Sequence, residues 1–360
     1  MIYILAFLVS ITFFFMASKV KGLIKSFLYL LGLFPTIALA GLRDLSIGGD
    51  TADYPVYVFE YCLGVNNPWD AISFNIEEFY ALLAYFSAKI FPHINVFLFI
   101  THSVILGVLL ISFRRFKLNI PLAFTLFYLL IYFETLNIAR QSLSMPFCLL
   151  SLSFWIEKKY KWALIYMCIA LGFHHTSLIF LIIHLIYYMC SRHFYTMNQT
   201  KIIVIIGTIA VIAIVFLAEI LQGLASWGIV DYKYVERYGS SDMYGAGLPI
   251  STIFITSFNL YVYLSQSSRI RRSVFVVFSK YIVLITFLFC FAGLISTFIV
   301  RLGLYFEITS IICMTYLLML RKRIMLNVVV LLFYGFYWFM VVVVANLAET
   351  YPYKSLILGI

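Results

Sequence analysis

The stretch Phe79-Tyr80-Ala81-Leu82-Leu83-Ala84-Tyr85-Phe86-Ser87-Ala88-Lys89-Ile90-Phe91 decides how this chain is threaded. It is apolar, yet its length of about thirteen residues is short of the roughly 17 that a helix needs to cross a bilayer. It also carries Lys89 and stops at Pro92-His93. Outward from it in both directions lie longer apolar runs, at about 2–17, 22–42, 95–113, 118–133, 141–156, 162–173, 176–190, 202–218, 249–265, 281–300, 304–320 and 324–345. The chain is 64% hydrophobic and 11% charged over 360 residues, against about 25% charged in a soluble domain. Unbroken runs without a period of two exclude a β-barrel of alternating strands. The reading is an all-α polytopic membrane protein, one transmembrane domain over 1–360, with about twelve spans.

Whether Phe79–Phe91 crosses follows from the cations, because Lys and Arg concentrate on the cytoplasmic side of short loops. If it does not cross, Lys19/Lys21/Lys25, Arg114/Arg115/Lys117, Lys158/Lys159/Lys161, Arg192/Lys201, Arg269/Arg271/Arg272/Lys280 and Arg321/Lys322/Arg323 share one face, which is 18 of the 25 basic residues. If it does cross, the first cluster opposes the other five. The segment is therefore expected to be a short interfacial or re-entrant helix. Both long loops, 43–78 and 219–247, then lie on the outer side. So do the seven remaining cations, Arg43, Lys89, Arg140, Lys233, Arg237, Arg301 and Lys354.

A net charge of +10 would suggest nucleic acid in a soluble protein, but cations at the ends of spans answer to anionic lipid and insertion topology. No nucleic-acid role is inferred. Six cysteines without metal or redox spacing read as packing residues. The run Met1–Met16 has no basic leader or A-x-A site and reads as the first span.

Two of the outer cations stand alone in apolar sequence: Arg140 in Asn137-Ile138-Ala139-Arg140-Gln141, and Arg301 in Phe298-Ile299-Val300-Arg301-Leu302-Gly303. A guanidinium at membrane depth costs at least about 2.5 kcal/mol unless a partner, water or anion meets it. Around them gather other polar groups. The first outer loop, Arg43-Asp44-Leu45-Ser46-Ile47-Gly48-Gly49-Asp50-Thr51-Ala52-Asp53-Tyr54, offers carboxylates for sugar hydroxyls and glycines for tight turns. Glu134, Asn137, Arg140 and Gln141 recur at helical spacing and would face one way on a continuous helix. They can meet a ligand, Glu134 and Arg140 can form an internal ion pair, and the two are compatible because an ion pair can also orient a phosphate-binding arginine. His174-His175 can supply a base near neutral pH, with packing or capping as the alternative for one of them. The loop 230–247, with Arg237 and Tyr238, suits saccharides or an interfacial aromatic belt. Arg301 and Tyr305 lie one helical turn apart. No metal-ligand spacing is found.

Leu42-Arg43, Gly48-Gly49-Asp50-Thr51 with Asp53-Tyr54, Ile138-Ala139-Arg140-Gln141, Phe173-His174-His175-Thr176-Ser177 and Arg301-x-x-x-Tyr305-Phe306 occur in that order from about 40 to 310. The ordered set resembles the EpsG-like branch of Wzy-type O-antigen and exopolysaccharide polymerases. Gly49 departs from that pattern, which usually has threonine or a similar residue there. The resemblance implies a GT-C-like glycosyltransferase in the bacterial inner membrane, active at the periplasmic face. It would join undecaprenyl-diphosphate-linked oligosaccharide units and release undecaprenyl diphosphate, with a chain-length regulator as a partner, and because no DxD-like metal site is found and two outward arginines can do a metal's work, no cofactor or metal is expected. On this reading Arg140, Arg301 and Arg43 bind the diphosphate. His174, His175, Asp50 or Glu134 supplies the base. Asp53, Tyr54, Gln141, Arg237, Tyr238 and Tyr305 bind substrate. A ligase that transfers to another glycan, or a flippase that transfers nothing, would need the same lipid-linked ligand.

Overall fold

The structure is a computed structural model that describes residues 1–73, 76–192, 217–228, 250–267, 273–292, 297–320 and 324–360. It is helical, with no strand among the described residues. Among the described residues five helices are long and apolar enough to cross a membrane: Ile2–Lys19, Gly22–Leu42, Ile94–Arg115, Ile299–Leu320 and Asn327–Val344. Ile120–Leu130, Tyr160–Phe173, Thr252–Ser265 and Val274–Cys290 are apolar but shorter. The chain is a multi-pass membrane protein.

Two compact units are present, one of residues 1–178 with 321–360 and one of residues 179–320. The first opens with the hairpin α1 (Ile2–Lys19) and α2 (Gly22–Leu42), joined through Gly22 at φ 65°. There follow the short helices α3 (Tyr57–Gly64) and α4 (Pro68–Ile72), α5 (Glu78–Ile90), and the long α6 (Ile94–Arg115). The apolar run 118–133 divides at Ile131, giving α7 (Ile120–Leu130) and α8 (Tyr132–Asn137). Next come α9 (Ala139–Ile156) and α10 (Tyr160–Phe173). Small residues let these helices close up: a Cβ on Gly32 would lie 2.5 Å from the Phe14 ring, and one on Gly41 2.7 Å from Phe99 Cβ.

The second unit holds α11 (Phe180–Arg192), α12 (Leu217–Ser226), α13 (Ile250–Ser267), α14 (Val274–Ala292) and α15 (Thr297–Leu320). Here α14 ends at Ala292, ahead of the apolar limit at 300, so Arg301 falls inside α15 and not in a turn. Helix α16 (Ile324–Trp338) and a π-helical turn, Phe339–Val344, return to the first unit.

Within the first unit, three of the basic clusters occupy one end. Lys25 and Arg114 both lie over the Tyr29 ring, and Arg115 pairs with Glu157 at 2.8 Å. At the other end the α2 terminus is closed by side chains. The last four carbonyls of a helix have no partner within it. Here Leu39 O accepts from Tyr353 Oη at 3.0 Å, Ala40 O from Arg43 at 2.8 Å, Gly41 O from Asn95 at 2.8 Å and Leu42 O from Ser355 Oγ at 2.5 Å. Helix α6 therefore starts beside the end of α2. Glu77, just before α5, bonds to residues at the start of α9 and the end of α10. Since α5 stops three residues before α6 begins, both of its ends lie at this same end of the unit.

Candidate active site

The loop after α2 is built on a gap in another helix. The expected continuous stripe from Glu134 to Gln141 does not form, because the helix breaks at Ile138 (φ −96°, ψ 64°) between α8 and α9. The break leaves the Leu136 carbonyl without an intrahelical partner, and the loop uses it. Arg43 donates to Leu136 O at 3.0 Å as well as to Ala40 O, with Thr51 Oγ1 at 3.4 Å. Gly48 stands at φ 86° where a Cβ would lie 2.5 Å from Leu136 O, so neither its backbone nor its surroundings accept a side chain. Asn137 Oδ1 accepts the Asp50 amide at 2.7 Å. Arg43 is 1% exposed, and burial pulls it down to about 10, which leaves it charged at neutral pH.

Beyond this loop, Glu77 spans two elements with its two oxygens. Oε2 meets Arg140 Nη1 at 2.7 Å and Oε1 meets His174 Nδ1 at 2.5 Å. All three side chains are at most 17% exposed. The Tyr54 ring lies beneath the guanidinium, its centroid 4.5 Å from Arg140 Cζ, in a cation–π geometry. Burial alone would raise the Glu77 carboxyl. The His174 hydrogen bond and the Arg140 charge outweigh it and hold the group at about 2. Burial draws His174 below its ordinary 6.5, against the opposing pull of Glu77. At neutral pH the arrangement is a carboxylate accepting Nδ1–H from a neutral imidazole, which makes Nε2 the basic nitrogen. That is the wiring of a general base whose ring is oriented by an acid.

Glu77 was not among the residues the sequence pointed to. It is one of two adjacent acids before a short apolar helix, and nothing local shows that it will meet groups 63 and 97 positions away. Arg140 pairs with Glu77, a carboxylate the sequence did not single out. Of the two histidines, His174 is brought to the pair while His175 is exposed and opens a 3-10 turn, His175–Ile179. Asp50 and Tyr54 arrive on the loop and Asp53 is exposed beside them. Glu134 is half-buried on α8, and Gln141 is buried on α9.

In the second unit, Arg301 is half-buried on α15 and Tyr305, a turn later, is buried with the Phe180 ring 6.4 Å away. Arg237 and Tyr238, with the loop 230–247, lie outside the described residues. Among the described residues no group of three or more His, Cys, Asp or Glu is placed to hold a metal ion.

A family model described as the EpsG family matches residues 25–355. Neither a curated protein nor a solved structure matches the chain.

Proposed function

The chain belongs to the EpsG family, a family of Wzy-like polymerases and membrane glycosyltransferases, and from that premise we propose that it joins undecaprenyl-diphosphate-linked oligosaccharide units at the periplasmic face of a bacterial inner membrane. The observation that carries the reading is Glu77 holding Arg140 and His174 at once. Glycosyl transfer from a lipid diphosphate needs a cation for the leaving group and a base for the acceptor, and this carboxylate orients one of each.

In the proposed step, an acceptor sugar hydroxyl attacks the anomeric carbon of the donor chain. The new glycosidic C–O bond forms as the bond from that carbon to the phosphate oxygen breaks, and its electron pair leaves with undecaprenyl diphosphate. The hydroxyl proton passes to His174 Nε2. Positive charge at Arg140 offsets the charge that builds on the diphosphate, in a partly buried setting where it counts for more than in water. Tyr54 fixes the plane of the guanidinium. Arg43 has a different role in this scheme: its partners are backbone carbonyls and it is fully enclosed, so it holds the loop and does not touch the diphosphate. The residues that do the work are all protein groups, and we propose that no metal takes part.

Purified protein in liposomes, supplied with lipid-linked repeat units extracted from a host lacking it, tests the proposal. A ladder of lengthening products that survives EDTA is expected. Arg140→Ala and His174→Ala should each lower turnover by roughly 10²- to 10³-fold. A single transfer to another glycan with no ladder would show a ligase, and movement of the unit across the bilayer without bond formation would show a flippase.

A further inference from the structure

The segment after the Phe339–Val344 turn folds back onto the loop that carries Asp50. Asn346 (φ 46°) takes the amides of Thr350 and Tyr351 on its Oδ1 at 3.0 and 2.9 Å, which makes a tight reversal. The segment is then tied down along its length. Tyr3 Oη donates to Thr350 O at 2.9 Å, the Gly48 amide to Glu349 O at 3.0 Å and the Asp44 amide to Lys354 O at 2.9 Å, while Tyr353 and Ser355 close the end of α2. Thr350 and Ser355 are buried. Such a strap would be structural alone were it not for the side chain between its anchors.

Glu349 stands in the left-handed region (φ 52°), with its carbonyl committed to Gly48 and its side chain exposed. The carboxylate lies flat over Gly49: a Cβ there would be 3.1 Å from Oε2 and 3.5 Å from Oε1. Among the described residues no donor meets it. Gly49 has an ordinary backbone conformation, and a Cβ there would press against the end of this carboxylate. From Gly49 the loop turns through Asp50, docked on Asn137, to Tyr54 beneath Arg140. The loop is thus a short ribbon with an acidic end at Glu349 and a cationic end at Arg140.

We infer that Glu349 is an acceptor-binding residue, its carboxylate accepting hydroxyls of the incoming sugar beside Asp50 while the Arg140 end takes the diphosphate. This rests on the glycosyl-transfer reading above. A carboxylate is acceptor-only at neutral pH and suits a polyol, whereas it would repel a diphosphate, so the polarity of the ribbon assigns which substrate lies at which end.

The test uses an oligosaccharide that can accept but cannot donate, obtained by mild acid release of the repeat unit from its diphosphate. With full-length protein in liposomes, Glu349→Gln and Glu349→Gly should raise KM for this acceptor by about 10- to 100-fold, the loss expected for a hydrogen bond to a charged group. Turnover at saturation and melting temperature should stay near the parent values, because the backbone bond to Gly48 remains and glycine accepts the left-handed conformation. An unchanged KM in both variants would overturn the assignment. So would a fall in turnover and melting temperature together, which is what a purely structural strap predicts. Titration of the free oligosaccharide into the protein, with no donor present, separates this result from the premise. If the parent protein forms no polymer, the glycosyl-transfer reading fails, while an affinity weakened by Glu349→Gln still supports a sugar subsite and an unweakened one removes it.

Discussion

Glu77 concentrates the chemistry of this site in one side chain, and its titration sets measurable limits. Its carboxyl is held at about 2 against an ordinary 4.5, so its contribution to stability is complete above 4.5 and is lost as pH falls toward 2. His174 is held below 6.5 in the fold while the unfolded chain takes up a proton there, so its contribution also falls as pH drops below 6.5. With neutral His174 as the base, turnover should rise with pH through an apparent pKa under 6.5 and level off above it. Glu77→Gln breaks the ion pair with Arg140 at a largely enclosed position and should cost about 3 kcal/mol of stability. The same change loosens the imidazole and should lower turnover by roughly 10²- to 10⁴-fold. Because Glu77 raises the His174 pKa, its removal should also move the acidic limb of the pH profile to lower pH. Rate profiles and detergent melts of the two proteins check these outcomes together, and a limb that stays in place would remove His174 from the role of base.

At the scale of elements, the break between α8 and α9 organises the loop, since it frees the Leu136 carbonyl that Arg43 and Thr51 meet. Gly48 is where the loop comes closest to that carbonyl. Gly48→Ala must adopt a left-handed backbone at about 1–2 kcal/mol and push its Cβ away from Leu136 O at a further 1–3 kcal/mol. The expected result is a large loss of folded protein in detergent, read by size-exclusion chromatography, with no such loss for Gly107→Ala, where nothing lies within 4 Å. The glycines, Arg43 and Asp50 were legible in the sequence as a loop of special composition. That the loop would dock on a helix break was not, because Glu134 to Gln141 has the spacing of an unbroken helix and no proline or glycine to interrupt it. Local propensity there yields to tertiary partners, which take the hydrogen bonds that the helix gives up.

For the whole molecule, the charge bias and the helix ends of the first unit agree. The turns carrying Lys19–Lys25, Arg114–Lys117 and Lys158–Lys161 lie at one end of it, and the site lies at the other. Placing the site outward predicts that, in a Cys168→Ser background, Ser46→Cys in intact spheroplasts reacts with an impermeant thiol reagent. Lys117→Cys should react only after permeabilisation, and the reverse pattern would invert the topology. Composition and the spacing of apolar runs were enough to determine a helical membrane protein, because bilayer insertion depends on hydrophobicity and charge counted along the chain, and the ordered motifs from about 40 to 310 were enough to point to its family. Which carboxylate meets Arg140, which histidine is oriented, and that the last residues strap the first loop were decided only by the tertiary structure. Those contacts join Glu77 to residues 63 and 97 positions on, and Tyr3 to Thr350 across nearly the whole chain. A hydrogen bond between such distant groups leaves no periodicity in the sequence, since it depends on how helices pack and not on what any one helix contains.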